Sequence, residues 1–303
     1  MGPIKQYLAE EVALDHADGL LSRREALRRL GMLGFGAVAA GSLLAACATD
    51  DGGAAATPGT ATQVPDVDAV STEDITFDGP RGDLLGAWAE AEDPQGGVLV
   101  IHENRGLTDH IKNVAGRFGP AGYSALALDL LSEEGGTGSF DDEGAAMAAL
   151  SEAADQEGRF VADMKGGLDE LARRLPDAKL AAVGFCFGGG MVWRLLDAGE
   201  PRLAAAAPFY GPAPKDPDFS GSENAAVLGI YAEQDTRVND GGEMSASRAE
   251  VEGALENAGL TYEIFVAPGA DHAFFNDTGE RYNAEQARRA WDRVQEWFGE
   301  HLA

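Results

Sequence analysis

Gly184-Phe185-Cys186-Phe187-Gly188-Gly189-Gly190 places one thiol among glycines. It stands directly after the apolar run Leu180 to Phe185 and ahead of a helical pattern continuing through Met191 to Ala198. Glycines on a strand-to-helix turn permit a sharp bend that lifts the central side chain out of a sheet. The bend also aims the next N–H, that of Phe187, toward a developing oxyanion. A helix N-terminus lowers a thiol pKa. The pattern therefore points to covalent attack on a carbonyl carbon. A lone cysteine between two phenylalanines is otherwise an inert core thiol; the flanking glycines on this turn favour the nucleophile.

A thiol nucleophile needs a base, and the chain has five histidines. His16 lies near the start of the chain, and His301 is two residues from its end on a surface helix. His110 starts an amphipathic helix and reads as a solvated first-turn residue, while His102 ends an apolar strand, either near a site or simply buried. His272, in Pro268-Gly269-Ala270-Asp271-His272-Ala273-Phe274, follows the last expected strand, where active-site loops of parallel sheets collect. It is the best base by position and elimination; the competing reading is a surface-loop histidine. Asp235 follows another strand within Tyr231-Ala232-Glu233-Gln234-Asp235 and would orient the imidazole. Glu233 and Asp240 are weaker substitutes, and a solvated turn aspartate is the bland alternative. The chain order nucleophile, acid, histidine is that of α/β hydrolases.

These residues require a frame that gathers strand ends. Thr72 to Phe77 and Leu84 to Ala89 flank the turn-rich Asp78-Gly79-Pro80-Arg81-Gly82 and predict a hairpin. Further strands are predicted at Val98 to Ile101, Tyr123 to Leu128, Leu180 to Phe185, Leu203 to Phe209, Val227 to Tyr231 and Tyr262 to Val266. Helical spacing covers Thr108 to Ala121, Gly144 to Leu175 as one or two helices, Met244 to Ala258 and Ala284 to Phe298. Strands without polar alternation, separated by helices, imply an α/β fold: a mainly parallel sheet covered on both faces.

The 303 residues carry a formal net charge of -28, with 23 Lys and Arg against 51 Asp and Glu. Nucleic acid is excluded as a partner, because phosphate binding needs clustered cations. The acidic surface suits either a salty environment or simple solubility. Two cysteines, Cys47 and Cys186, permit a disulfide by count, but both contexts suggest other roles.

Ser22-Arg23-Arg24-Glu25-Ala26-Leu27 precedes an uncharged run of small and apolar residues ending Leu44-Ala45-Ala46-Cys47. A positive stretch, an apolar core and small residues make an export signal over residues 1–46. The paired arginines resemble the twin-arginine signal of folded exported proteins. Leu-Ala-Ala-Cys resembles a lipobox, which implies lipidation of Cys47 and a membrane anchor on the outer face of the cytoplasmic membrane. An uncleaved transmembrane helix is the alternative, although a run of about 17 residues is at the lower limit for spanning. The 21 residues before the paired region are long and partly acidic for such a leader. Residues 47–70, rich in Ala, Thr, Gly, Asp and Pro, read as a flexible tether, and 71–303 as the catalytic domain.

From about Thr72 onward the chain resembles the dienelactone hydrolase family of α/β hydrolases. The resemblance rests on Ile101-His102-Glu103-Asn104-Arg105-Gly106, the Cys186 turn, Phe209-Tyr210-Gly211, Asp235 and Asp271-His272-Ala273-Phe274. It implies that Glu103 contacts the resting thiol and helps deprotonate it, and that the Asn104 N–H joins Phe187 as an oxyanion donor. Tyr210 and Arg105 then fall at substrate-binding positions. Arg105 could pair with Glu103 or clamp an anionic substrate; a Glu103–Arg105 surface pair is the plain alternative. The family's two carboxylate-clamping arginines are missing: their positions fall at Asn276 and in Asp129-Leu130-Leu131-Ser132-Glu133. A neutral ester or lactone is therefore expected over an anionic one. The resulting expectation is a monomeric Cys-His-Asp hydrolase working through an acyl-enzyme, with no metal or organic cofactor. A general carboxylesterase or acyl hydrolase, and a non-catalytic binding lipoprotein on the same fold, are the alternatives.

Overall fold

A computed structural model describes residues 2–47, 68–154, 156 and 158–303. The expected tether, apart from Cys47 and residues 68–70, lies outside the described residues. The chain opens with three helices, α1 (Pro3–Ala17), α2 (Arg23–Met32) and α3 (Ala37–Cys47). The body then runs β1 (Glu73–Gly79), β2 (Gly82–Ala89), β3 (Gly96–Ile101), α4 (Asp109–Phe118), β4 (Tyr123–Asp129), α5 (Glu143–Ala153) and α6 (Arg159–Arg174). It continues with β5 (Leu180–Phe185), α7 (Phe187–Asp197), β6 (Leu203–Phe209), β7 (Ala226–Ala232), α8 (Thr236–Asp240), α9 (Arg248–Ala258), β8 (Tyr262–Ala267) and α10 (Ala284–Leu302).

Eight strands form one sheet in the order β1-β2-β4-β3-β5-β6-β7-β8. The hairpin partner β2 is antiparallel to β1 and β4, and every pairing from β4 to β8 is parallel. Every residue of β3, β4, β5 and β7 is buried. Side chains alternate between faces along a strand, so both faces of the central sheet are covered. The edge strand β8 is only half-buried. The chain goes from β3 to β4 on one side and then returns to place β5 on the other. Strand order reverses there, and the crevice at the carboxyl ends of β3 and β5 is where such sheets bind ligands.

The predicted strands all form. The helix expected from Met244 instead begins at Arg248, where Ser247 and Glu250 form a reciprocal capping box. A short helix at Thr236, absent from the sequence reading, is capped by Asp235.

The first three helices pack on one another, with α1 and α2 also touching α5. Tyr7, Leu8, Val12, Ala26, Leu30, Leu33 and Leu44 are buried, and Arg23 and Arg24 are exposed. No helix among the described residues is long and apolar enough to cross a membrane. In sequence, residues 1–46 read only as an address; in the structure α1 is part of the wall around Cys186.

Candidate active site

Cys186 occupies the tip of the turn between β5 and α7 with φ 55° and ψ -118°, a conformation that costs an L-residue energy. The backbone packing around it leaves no room for side chains at two glycines. A Cβ on Gly184 would lie 2.2 Å from the Gly188 oxygen, and one on Gly188 would lie 2.3 Å from the Ile101 oxygen. The Cys186 N–H donates to the Phe209 oxygen (3.1 Å), tying the turn to β6. Phe187 is the first residue of α7, so its N–H has no acceptor within the helix. Tyr210 (φ 35°) and Ala273 (φ 61°) also hold positive φ, so strain clusters around this turn.

His272 is buried on the loop after β8, and its Nδ1 lies 2.5 Å from Asp235 Oδ2. The other Asp235 oxygen accepts from the Val238 N–H (3.3 Å) as the cap of α8, which fixes the carboxylate. Glu233 instead accepts from the Gly269 N–H, and Asp240 is exposed. The Cys186 Sγ, a His272 ring nitrogen and a Glu11 carboxylate oxygen all lie within 4.8 Å of one another. These three atoms have the composition of a metal site, but the Arg237 guanidinium sits on Glu11 and opposes a cation there.

Glu103 is buried at the end of β3. Its Oε2 accepts from Asn276 Nδ2 (2.6 Å), while Oε1 has no hydrogen-bond partner among the described residues. The alternative of a Glu103–Arg105 pair does not form: Arg105 is half-exposed and lies on Glu143 (3.3 Å). Asn276, in sequence the place of a missing arginine, is instead the residue that holds Glu103. Asn104 is buried beside Glu103 in the loop after β3. Tyr210 is buried with its ring edge-on to His272 at 5.1 Å.

His102 is structural. Its Nδ1 lies 2.6 Å from the Glu103 oxygen, its Nε2 accepts from the Leu130 N–H, and burial lowers its pKa. His110 corrects the sequence reading: it is buried with Nδ1 2.8 Å from Asp277, which Arg117 also grips. The half-buried carboxylate partner, distant in sequence, draws it inward.

The feature that sequence reasoning missed is the reach of α1. Tyr7 Oη lies 3.2 Å from Cys186 Sγ and 3.5 Å from His272 Nε2. Glu11 Oε1 is 3.5 Å from His272 Nε2 and pairs with Arg237. Arg281 binds Asp15 (2.9 Å) and Asp18 (2.5 Å). Buried Tyr7, Leu8, Glu11, Val12 and Asp15 form one helical stripe, but its two acids hide it from a search for apolar periodicity. Arg237 and Arg281 carry no local motif, so no sequence signal marked them.

Charges at the site depend on this helix. Burial pushes the Cys186 pKa up and Glu11 adds to the rise, while His272 pulls it down. Burial opposes charging His272, yet Glu11, Asp235 and Cys186 outweigh it and hold its pKa well above the ordinary range. Burial also opposes charging Glu11, but Arg237 and His272 bring its pKa down to about 2.

Comparison with known proteins identifies the family. The model of the dienelactone hydrolase family matches residues 85–302. A relative from Salmonella typhi, assigned as a carboxymethylenebutenolidase, is 31% identical over 261 residues, covering 82% of this chain and 94% of its own length. One from Saccharolobus solfataricus, similarly assigned, is 29% identical and covers 75% of this chain and 97% of its own. Among solved structures, a protein assigned as a dienelactone hydrolase from Klebsiella pneumoniae superposes with a TM-score of 0.61 at 28% identity, over 75% of this chain and 98% of that one. A dienelactone hydrolase-like promiscuous phosphotriesterase from metagenomic libraries reaches 0.66 at 23% identity, over 78% and 100%, which bears on the fold alone.

Proposed function

The chain belongs to the dienelactone hydrolase family, and from that footing we propose that it cleaves an ester or lactone through Cys186, His272 and Asp235. His272 takes the Cys186 proton as sulfur attacks the carbonyl carbon. The tetrahedral oxyanion rests on the Phe187 and Asn104 N–H groups. Its collapse breaks the C–O bond, and His272 returns the proton to the leaving alkoxide. His272 then deprotonates a water that attacks the thioester, releasing the acid and restoring the thiol. Asp235 holds the tautomer and stabilises the imidazolium. Glu103, with one buried oxygen unpartnered among the described residues, assists deprotonation of the thiol; Tyr210 lines the substrate's approach. The reaction needs no metal or organic cofactor.

The observation that carries this reading is the contact of Asp235 with His272 Nδ1, together with a His272 ring nitrogen within 4.8 Å of Cys186 Sγ. The relatives assigned as carboxymethylenebutenolidases support a lactone or ester as substrate. Rapid mixing with a p-nitrophenyl ester, acid quench and peptide mass spectrometry should find the acyl group on Cys186. Turnover with the acyl group on another residue, or none, rejects the mechanism. A panel of esters of varied acid and alcohol length distinguishes a lactone hydrolase from a general carboxylesterase.

We also propose that residues 1–46 direct export by the twin-arginine route, with cleavage ahead of Cys47 and lipid attached to its thiol. Arg23 and Arg24 are exposed at the start of α2, accessible to a receptor. Loss of labelled fatty acid from the Cys47→Ala chain would support the anchor; equal labelling would reject it. The same reading makes the enzyme a monomer, which light scattering checks.

A further inference from the structure

We propose that α1 is a built-in competitive inhibitor: Tyr7 and Glu11 stand where a substrate lies, and Arg237 is the residue that binds a substrate carboxylate once Glu11 leaves. The inference rests on the ester-hydrolase reading of Cys186 and His272.

A carbonyl carbon must come within contact of Cys186 Sγ on the side that faces His272 Nε2. Tyr7 Oη already bridges those two atoms, at 3.2 and 3.5 Å. Two non-hydrogen groups cannot share that space. A cavity of about 910 Å³ runs beside α1 and is lined by Tyr7, Phe187, Met191, Arg194, Arg237 and Asp271 among others. Neither Cys186 nor His272 is among its lining residues. Tyr7, on the cavity wall and against both Cys186 and His272, thus separates a substrate-sized space from the groups that would act on a substrate.

Glu11 is a carboxylate on a flexible stem, set against a guanidinium, with His272 on its other side. That is the arrangement of a bound acid. Arg237 also stacks over the Tyr7 ring, 5.1 Å from its centroid. Only Nη2 of Arg237 is engaged by Glu11; its Nε and Nη1 are buried with no partner among the described residues. A guanidinium matches a carboxylate through two parallel N–H donors, so Glu11 uses less than the group offers. A free carboxylate, unconstrained by the helix, can take the paired geometry. Arg281, which grips Asp15 and Asp18, docks the helix. The acidic residues that make the leader unusual are therefore the ones that seat α1. A cut ahead of Cys47 would carry α1 away with the leader and couple export to activation.

The test uses the full-length chain with Tyr7→Ala and Glu11→Ala together. Its readouts are alkylation of Cys186 by iodoacetamide, followed on the Cys186 peptide, and hydrolysis of two matched esters, 4-nitrophenyl pentanoate and the mono-4-nitrophenyl ester of glutaric acid. Apparent reactivity scales with the fraction of open chains, so both readouts should rise by about tenfold or more. The glutarate ester should gain more than the neutral one. Adding Arg237→Gln should raise the KM of the glutarate ester alone. If the double variant loses its cooperative melt, Glu11→Gln keeps the shape, removes the charge, and should accelerate alkylation in the same direction. Unchanged alkylation in a folded variant overturns the plug. Faster alkylation with no ester cleaved upholds the plug and rejects the hydrolase reading. An anionic preference that survives Arg237→Gln overturns the carboxylate site.

Discussion

Two regions meet at Cys186, and different forces hold them. The floor of the site is the carboxyl edge of the sheet. Cys186 is fixed by backbone contacts too close for any side chain, as at Gly184 and Gly188, and Asp235 is fixed as the cap of α8. The cover, α1, is held by side chains: a buried apolar stripe and ion pairs from Glu11, Asp15 and Asp18 to Arg237 and Arg281. A backbone-built floor has no alternative arrangement at similar energy. A cover fastened by charges can leave when those charges change or its chain is cut. The molecule thus separates the groups that must stay placed from the element whose position sets access.

The sharpest way to break this comparison is to remove the attacking atom. Cys186→Ala should lower p-nitrophenyl ester hydrolysis by on the order of 10⁴-fold or more while leaving α1 seated. Steady-state turnover and a helix-sensitive melt, measured together, test both halves; undiminished turnover would falsify the nucleophile. Residual activity in a Cys186→Ser chain is compatible with the assignment.

A smaller effect probes the floor. Gly184→Ala places a Cβ 2.2 Å from backbone that cannot retreat without moving α7. The expected loss is roughly 2–4 kcal/mol of stability by urea denaturation. A loss near zero would mean that the turn is more pliable than its contacts imply.

The smallest effect probes the cover. Glu11 has a folded pKa of about 2, below its ordinary 4.5. Its contribution is therefore complete above about pH 4.5 and is lost as pH falls through that value toward 2. The melting-temperature gap between the native chain and Glu11→Gln should be widest near neutral pH and close with acid across that window. A gap that does not change with pH would show that Glu11 seats α1 by packing rather than by charge.

Much of the floor was legible in the sequence, because its signals are local. The glycines around Cys186, the strand before it and the helix after it are contiguous, and His272 and Asp235 each stand just past an apolar run. Glu103 was legible only through the family resemblance. Its partner was not: Arg105, one residue beyond Asn104, turned outward to Glu143, while Asn276, 173 residues away, holds the carboxylate. His110 was misread for the same reason, since Asp277 lies 167 residues along the chain. Sequence reasoning expected a neutral substrate because the family's two arginines are missing at their usual positions. Arg237 on α8 and Arg281 in the loop before α10 change the charge of the region without restoring the motif.

The sequence by itself determined the α/β order of elements, the elbow at Cys186 and the chain order of Cys186, Asp235 and His272. Those follow from residue periodicity and turn chemistry within a few residues. Only the tertiary structure decided what fills the site. Residues 1–46 read as an address because their visible features are a basic pair, an apolar run and a cysteine. The stripe that turns α1 toward Cys186 mixes Tyr7, Leu8 and Val12 with Glu11 and Asp15, and such acids look like solvent-facing residues until their arginines are known. Arg237 and Arg281 stand more than 220 residues away from the acids they hold, and pairing over that separation is a property of the folded chain alone.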